Sequence, residues 1–430
     1  MRVPGGGAEI FVARHRGRYL VHAPLLEMTC EVNRAFAEEL EHAAEGHRLA
    51  DRVLGDLEAH GFLDEPPPRE PLQTYRRSGE ITLALSARCN LRCRYCYAEG
   101  GDCDEILPIE KARIALRQTA RDGVAGGQTA LRVHLHGGGE PTVDWDLFRR
   151  VADEAERCAG NEGLAVHLTA GLNGVLAAGR ARQAAALLDE ATVSLDGGPE
   201  VQNRQRPTAA GGGSWSAVAE SLSVLDAEGL AYGIRMTVTA QSVGLMEESV
   251  ASVCQTCEAR AIQVEPAAPL GRGRCGEVVD PHEFVEQFRR ARRVAASYGR
   301  ELRTSGARFP LVTEIFCRAV TGALCVKPSG RIVTCYEAPD EEGPFSVGRV
   351  DRSRSCLDVD DRRLRDMLRF AVGERTRCRE CIVRYHCAGD CPMKRMAPGA
   401  DERCRANRLL TLDQMLERLD GIAATPGETS

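Results

Sequence analysis

The sequence predicts an α/β protein built on a partial parallel barrel, with a small α+β domain before it and a cysteine-rich region after it. Three observations carry this expectation. From residue 81 onward, short apolar segments alternate with segments of helical periodicity. Several of the apolar segments are nearly all apolar, as strands buried on both faces of a parallel sheet are. Finally, 18 cysteines in 430 residues gather mostly into two stretches. Six successive strand–helix units imply a parallel barrel or part of one, a (β/α)6 arrangement.

The elements follow in chain order. Residues 1–66 form the front domain: "EIFVARHRGRYLVHAP" predicts a hairpin turning at Arg16-Gly17, and two segments at 31–46 and 47–63 space apolar residues as helices, the second ending at Gly61. Residues 67–80, rich in proline and charge, read as a linker. Strands are expected at 81–86, 131–137, 164–170, 191–196, 232–238 and 261–266, with helices including 109–123, 145–160 and 215–229, all within a barrel of 81–279. A helix in 280–304 opens with Asp280 as cap and Pro281 at its first position, and would bridge to a cysteine-rich region at 305–410. An amphipathic helix and a frayed tail occupy 411–430.

Composition bounds the function. Apolar content of 43% and charged content of 27% are ordinary for a globular chain, and a net charge of −6 lacks the basic footprint of a nucleic-acid binder. No signal peptide is evident, and no apolar run reaches the roughly 18 residues a membrane span needs. A cytoplasmic, monomeric protein is expected, binding neither nucleic acid nor membrane. In a reducing compartment, clustered thiols point to metal or catalysis rather than disulfides.

The stretch "LSARCNLRCRYCYAEGG" places Cys89, Cys93 and Cys96 directly after the first barrel strand, where parallel barrels carry their active sites. Three thiols leave a four-ligand site one short. A zinc ion completed by a remote residue is one reading. The other is a resemblance: this CxxxCxxC loop, with aromatic Tyr95 before the last cysteine, resembles that of the radical S-adenosylmethionine (radical SAM) superfamily. The resemblance implies a [4Fe–4S] cluster on Cys89, Cys93 and Cys96, whose open iron takes SAM. Its reduction would cleave SAM to a 5′-deoxyadenosyl radical that abstracts hydrogen from substrate. "HGGGEPT" (136–142) resembles the family's GGEP motif, which implies that Gly138, Gly139 and Glu140 bind the methionyl amino group. In "TAGLNG" Asn173 resembles the strand-end asparagine; in "VSLDGGPEVQNRQRP" Ser194 would contact SAM and Asp196 the ribose or the substrate, while Asn203 stands where relatives carry aspartate. By the same resemblance Tyr95 lies in the cofactor site, and Arg235 reaches the SAM carboxylate with Thr237 and Thr239 beside it. Glu265 would meet adenine or substrate.

The later thiols run C-x2-C-x5-C-x3-C over Cys378, Cys381, Cys387 and Cys391, preceded by Cys317, Cys325 and Cys335 and followed by Cys404. This run resembles the SPASM domain of radical SAM enzymes that act on peptides. The resemblance implies two auxiliary [4Fe–4S] clusters, one on Cys317, Cys325, Cys335 and Cys391, the other on Cys378, Cys381, Cys387 and Cys404. A pair of structural zinc sites is the competing reading. Cys30, Cys103, Cys158, Cys254, Cys257, Cys275 and Cys356 remain, most of them read as small buried side chains. The front domain resembles the winged-helix element with which peptide maturases hold a precursor's leader as an added strand; a plain capping domain is the alternative.

Together these readings imply a radical SAM/SPASM maturase of a ribosomally made peptide. It would form a thioether or carbon–carbon crosslink, with electrons supplied by a flavodoxin- or ferredoxin-type donor. Asp196 and Glu337 are the candidate proton acceptors. A sulfatase-maturase-like dehydrogenase of Cys or Ser, and an iron–sulfur electron carrier without SAM chemistry, are the alternatives.

Overall fold

The computed structural model describes residues 9–74, 78–339 and 341–424. Part of the expected linker (75–77), the first eight residues and the expected tail lie outside the described residues. In the front domain, β1 (Phe11–His15) and β2 (Arg18–Ala23) pair antiparallel. Arg16 and Gly17 both have left-handed φ, 49° and 79°, as a two-residue hairpin turn of matching twist requires. A third strand absent from the sequence reading, β3 (Met28–Val32), adds to β2. Met28, Cys30 and Val32 alternate with Thr29 and Glu31 and pack against the front-domain core, an alternation of only five residues that the sequence reading passed over. Helix α1 (Arg34–Ala44) starts where Asn33 accepts from the Phe36 N–H at 2.9 Å, and α2 (Asp51–Ala59) stops just before left-handed Gly61. Val21, Leu40, Val53 and Leu57 close a core between sheet and helices.

The barrel strands are β4 (Glu80–Leu83), β5 (Ala130–Leu135), β6 (Ala165–Leu172), β7 (Glu190–Ser194), β8 (Ala231–Val238) and β9 (Ala261–Pro266). Between them run α3 (Ile109–Ala125), α4 (Trp145–Asn161), α5 (Ala178–Leu187), the short α6 (Pro199–Gln205), α7 (Trp215–Ala227) and α8 (Met246–Thr256). All six strands pair in parallel with their neighbours. They are not apolar on both faces, as the sequence suggested. In β8 the burial alternates: Tyr232, Ile234, Met236 and Val238 are buried, while Arg235 and Thr237 line an internal cavity. The apolar face packs under helices; the inward face is polar because it builds a site rather than a core.

Helix α9 (Pro281–Ser297) begins as expected, with Asp280 accepting from the His282 and Glu283 N–H groups and Pro281 at the first position. It does not simply bridge to the next region. It returns the chain to β10 (Glu301–Arg303), parallel to β9, and so forms the crossover of a seventh unit. On the other edge, β11 (Cys325–Val326) pairs parallel with β4 and leads into an antiparallel series of β12 (Arg331–Val333), β13 (Ser346–Asp351) and β14 (Cys356–Val359). One sheet of 11 strands results, ordered β10-β9-β8-β7-β6-β5-β4-β11-β12-β13-β14. The chain closes with α10 (Asp361–Asp366), α11 (Arg384–Cys387) and α12 (Ala400–Ala424).

The front domain docks on this last part. Phe11, Ala13 and Leu20 pack with Ile382, Leu412 and Met415, and the His22 and His386 rings meet at 2.9 Å between Nε2 atoms. Among the described residues no helix is long and apolar enough to cross a membrane.

Candidate active site

The loop after β4 carries Cys89, Cys93 and Cys96, and it is sewn down from three sides. The Arg92 and Arg94 N–H groups donate to the carbonyls of Pro207 (2.7 Å) and Gln205 (3.0 Å). Arg272, in the segment after β9, donates to the carbonyls of Cys93 at 2.9 Å and Gly100 at 3.1 Å. The Gly139 N–H donates to Ser86 O at 2.6 Å, and the Glu140 N–H to Arg88 O at 2.8 Å. A Cβ on Gly139 would lie 1.9 Å from Arg88 O, so only glycine lets these two loops approach. Gly139→Ala is therefore expected to lower stability by about 1–3 kcal/mol, the scale of overpacking, and to cut iron loading; thermal melts and iron analysis check both.

The expected cofactor residues converge on this loop, and several are already spent on the protein. Glu140 is buried: Oε1 accepts from the Thr142 N–H (3.2 Å) and hydroxyl (2.6 Å), and Oε2 from the Asn173 N–H (2.6 Å). It ties the loop after β5 to the loop after β6 rather than offering a free carboxylate to a ligand amine. Asn173 Nδ2 donates to Asn90 Oδ1 at 2.6 Å and lies 3.8 Å from Cys89 Sγ. Ser194, Tyr95, Gly138 and Thr237 line the cavity; Thr239 instead donates to Gln205 Oε1 at 2.8 Å. Asn203 belongs elsewhere, accepting the first N–H groups of α7, from Ser214 and Trp215, at 2.8 Å each.

Asp196 is a hub, not a base. Its Oδ2 accepts from the Tyr95 hydroxyl, from Gln205 Nε2 (2.8 Å) and from Arg206 Nε (3.0 Å), and its Oδ1 accepts from the Thr237 N–H (2.9 Å). Its side chain has 0% exposure and does not line the cavity. Arg206, which sequence reasoning passed over although it closes the quoted "NRQRP" run, also stacks 5.2 Å from the Tyr95 ring centroid. Burial pushes the Cys93 thiol up to about 12, and the Arg206 cation works against that rise.

Across the cavity lie the other thiols. Cys317, Cys325, Cys335 and Cys391 line the same space of about 1630 Å³ as Cys89, Cys93 and Cys96. Cys335 and Cys391 are both raised, by burial first and then by Glu337 and the nearby thiols of the set. Cys378, Cys381, Cys387 and Cys404 form a separate group away from the cavity; Cys387 is pushed up by burial, then by Asp390 and the other three thiols. Among the described residues no three His, Cys, Asp or Glu side chains converge on a single-ion site. Thiols suit iron–sulfur ligation, and beside the first three a Cβ on Gly100 would meet Gly139 Cα at 3.3 Å and Cys89 Cβ at 3.4 Å. Of the seven other cysteines, Cys158, Cys254 and Cys257 are buried as expected, whereas Cys103 and Cys275 are exposed.

Between the thiol sets sits a charged group. Arg235, Glu265, Glu337 and Lys394 line the cavity, with Arg403 behind them. Burial alone would raise Glu265, but Arg235, Lys394 and Arg403 outweigh it and hold the carboxyl down at about 2. A depressed carboxyl stabilises the fold fully above its unfolded value, near 4, and loses that contribution as pH falls toward 2. Thermal midpoints recorded from pH 5 to 3 should fall more steeply for the wild type than for Glu265→Gln. Glu337 differs from the expectation of a base. Its Oε1 lies 3.5 Å from Lys394 Nζ, and its Oε2 is enclosed without a partner rather than open to the cavity.

Known proteins agree with this architecture. The chain is 23% identical over 361 residues to a serine-type anaerobic sulfatase-maturating enzyme of Klebsiella aerogenes, covering 78% of this chain and 84% of that one. Among solved structures it resembles native anSMEcpe with bound AdoMet (TM-score 0.63, 14% identity, 81% of this chain and 100% of that one). It also resembles Streptococcus suis SuiB bound to precursor peptide SuiA (TM-score 0.53, 14% identity, 89% of this chain and 94% of that one). At such identity these likenesses speak to the fold. Residues 83–258, the strands and loops that gather the first three thiols, match the model of the Radical SAM superfamily, so this part of the chain is a radical SAM domain.

Proposed function

We propose that the chain is a maturase that oxidises a residue of a peptide held in the central cavity. The observation that supports this reading most is that one space of about 1630 Å³ is walled by both the radical SAM thiols and a second set of four. Such a volume admits a peptide side chain and its neighbours, beyond what SAM requires. Cys89, Cys93 and Cys96 would hold the SAM-binding cluster. Cys317, Cys325, Cys335 and Cys391 would hold one auxiliary [4Fe–4S] cluster, and Cys378, Cys381, Cys387 and Cys404 a second. When bound, SAM and its reduced cluster supply a carbon radical that takes a hydrogen atom from the substrate.

This chain's residues do the rest. Gly138 and Gly139 bring backbone close to the methionyl end of SAM, Asn173 and Ser194 face it, and Tyr95 walls it through Asp196. Arg235 and Glu265 present opposite charges at the substrate side. The front domain would take the precursor's leader along the β3 edge of its sheet, the last strand in the order β1-β2-β3. An acidic flavodoxin- or ferredoxin-type protein would supply the electron.

A second reading, oxidation of a Cys or Ser in a protein substrate, is favoured by the high coverage of the sulfatase-maturating relative. The test is anaerobic incubation of reconstituted protein with SAM, dithionite and synthetic peptides from short reading frames flanking the gene, alongside the Cp18Cys peptide. A flanking peptide that loses two hydrogens per 5′-deoxyadenosine formed, and takes no hydrazine, supports crosslinking. A hydrazine-reactive aldehyde supports the second reading. If 5′-deoxyadenosine forms and no peptide changes, the maturase proposal is wrong.

A further inference from the structure

With Asp196 sealed and Glu337 held against Lys394, the cavity needs another group that can accept a proton. His136 stands at the end of β5, one residue before the glycine run, and lines the cavity. Its ring is packed edge-on to Tyr336, with centroids 4.3 Å apart and planes at 81°. On its other side the ring lies against Gly171: a Cβ there would be 2.0 Å from Nδ1, so the imidazole occupies space that only a glycine on β6 leaves. Tyr336 is itself fixed, its carbonyl accepting from Lys327 Nζ at 2.7 Å, and Gly137 permits its approach, since a Cβ there would meet Tyr336 Cβ at 3.0 Å. Three positions thus hold one imidazole in place. Among the described residues nothing hydrogen-bonds its ring nitrogens; Nδ1 lies against Gly171, while the side chain as a whole lines the cavity.

We propose that His136 accepts the proton released when the substrate is oxidised in this cavity. The proposal rests on the maturase reading above. One substrate C–H bond breaks, and its hydrogen atom forms a new C–H bond on the SAM-derived carbon. The substrate carbon then bonds to a neighbouring atom X. As the X–H bond breaks, its proton forms an N–H bond on His136 and the leftover electron reduces an iron–sulfur acceptor by one. Burial is the main cause that keeps the ring neutral, pushing it down to about 4, with Arg235, His134 and Lys327 adding to that and Glu337 opposing it. From about pH 5 upward the ring is therefore free to take a proton, and the imidazolium that forms faces the Glu337 carboxylate.

The experiment compares full-length wild type, His136→Gln and His136→Ala on whichever peptide the wild type oxidises in the assay above. Expected are a roughly hundredfold loss of oxidised peptide per SAM cleaved, partial recovery of His136→Ala with added imidazole, and a substrate-centred radical visible by EPR in the variants. An unchanged product ratio, or loss of SAM cleavage itself, overturns the proposal. A second measurement needs no substrate: histidine 15N spectra of the metal-free full chain should contain one neutral ring at pH 6 that is absent from His136→Gln. A ring at that position found protonated at pH 6 overturns the proposal independently. If the wild type oxidises no peptide, the maturase reading fails, while the spectra still decide whether His136 can act as a base.

Discussion

Exchange of Cys93 for alanine is expected to reduce 5′-deoxyadenosine formation to that of a protein-free control, the largest effect of any single substitution here. Cys93 is the middle thiol of the three in the loop after β4, proposed above to hold the SAM-binding cluster. The loop around it is rigid, with its carbonyl gripped by Arg272 at 2.9 Å and its neighbours Arg92 and Arg94 bonded to the 205–207 segment, so no other side chain can swing into the gap. The eight thiols of the two later sets, Cys356 not among them, should keep their own iron, because neither set borrows from the loop after β4. Iron analysis together with product chromatography checks both statements. A Cys93→Ala protein that still cleaves SAM would refute the assignment of this loop.

Asp196→Ala should produce the largest loss of stability. Removing the carboxylate strands Arg206, itself buried, together with the Tyr95 hydroxyl and Gln205, and an orphaned buried charge costs about 3–5 kcal/mol. The thermal midpoint of the metal-free protein is the readout. Asp196→Ala combined with Arg206→Met should recover part of the loss, since the double variant buries no unpaired charge. Asp196→Asn keeps the shape and should fall in between. If Asp196→Ala melts with the wild type, the hub carries no load in the fold. The hub also bears on the chemistry: Arg206 opposes the burial-driven rise of Cys93 while Asp196 adds to it, so Arg206→Met by itself should make iron loading at neutral pH slower.

Much of the fold was legible before any coordinates. The hairpin at Arg16-Gly17, the cap at Asp280 and the barrel strands all came from local rules, in which a residue constrains its own φ or those of its immediate neighbours. Two elements escaped for physical reasons. The alternation of β3 spans only five residues directly before a helical pattern, too few to stand out, and α9 looked like a connector because nothing local announces that three residues, Glu301–Arg303, will pair parallel with β9. The assumption of strands buried on both faces failed because a strand facing a polar cavity keeps only alternate apolar positions.

The site divides along the same line. The spacing of Cys89, Cys93 and Cys96 carried a family resemblance, which in turn implied how the later thiols group, and the glycines of "HGGGEPT" announced close backbone approach; both motifs are properties of short segments. Charge and burial were decided by the tertiary structure alone. Asp196 could be told from a base only once Tyr95, Gln205, Arg206 and Thr237 were seen to enclose it. Likewise His136 could be told from a packing residue only when Gly171 and Tyr336, 35 and 200 positions away, were found to hold it open to the cavity. The energy of a proton or an ion depends on what surrounds it in space, and sequence distance carries no record of that.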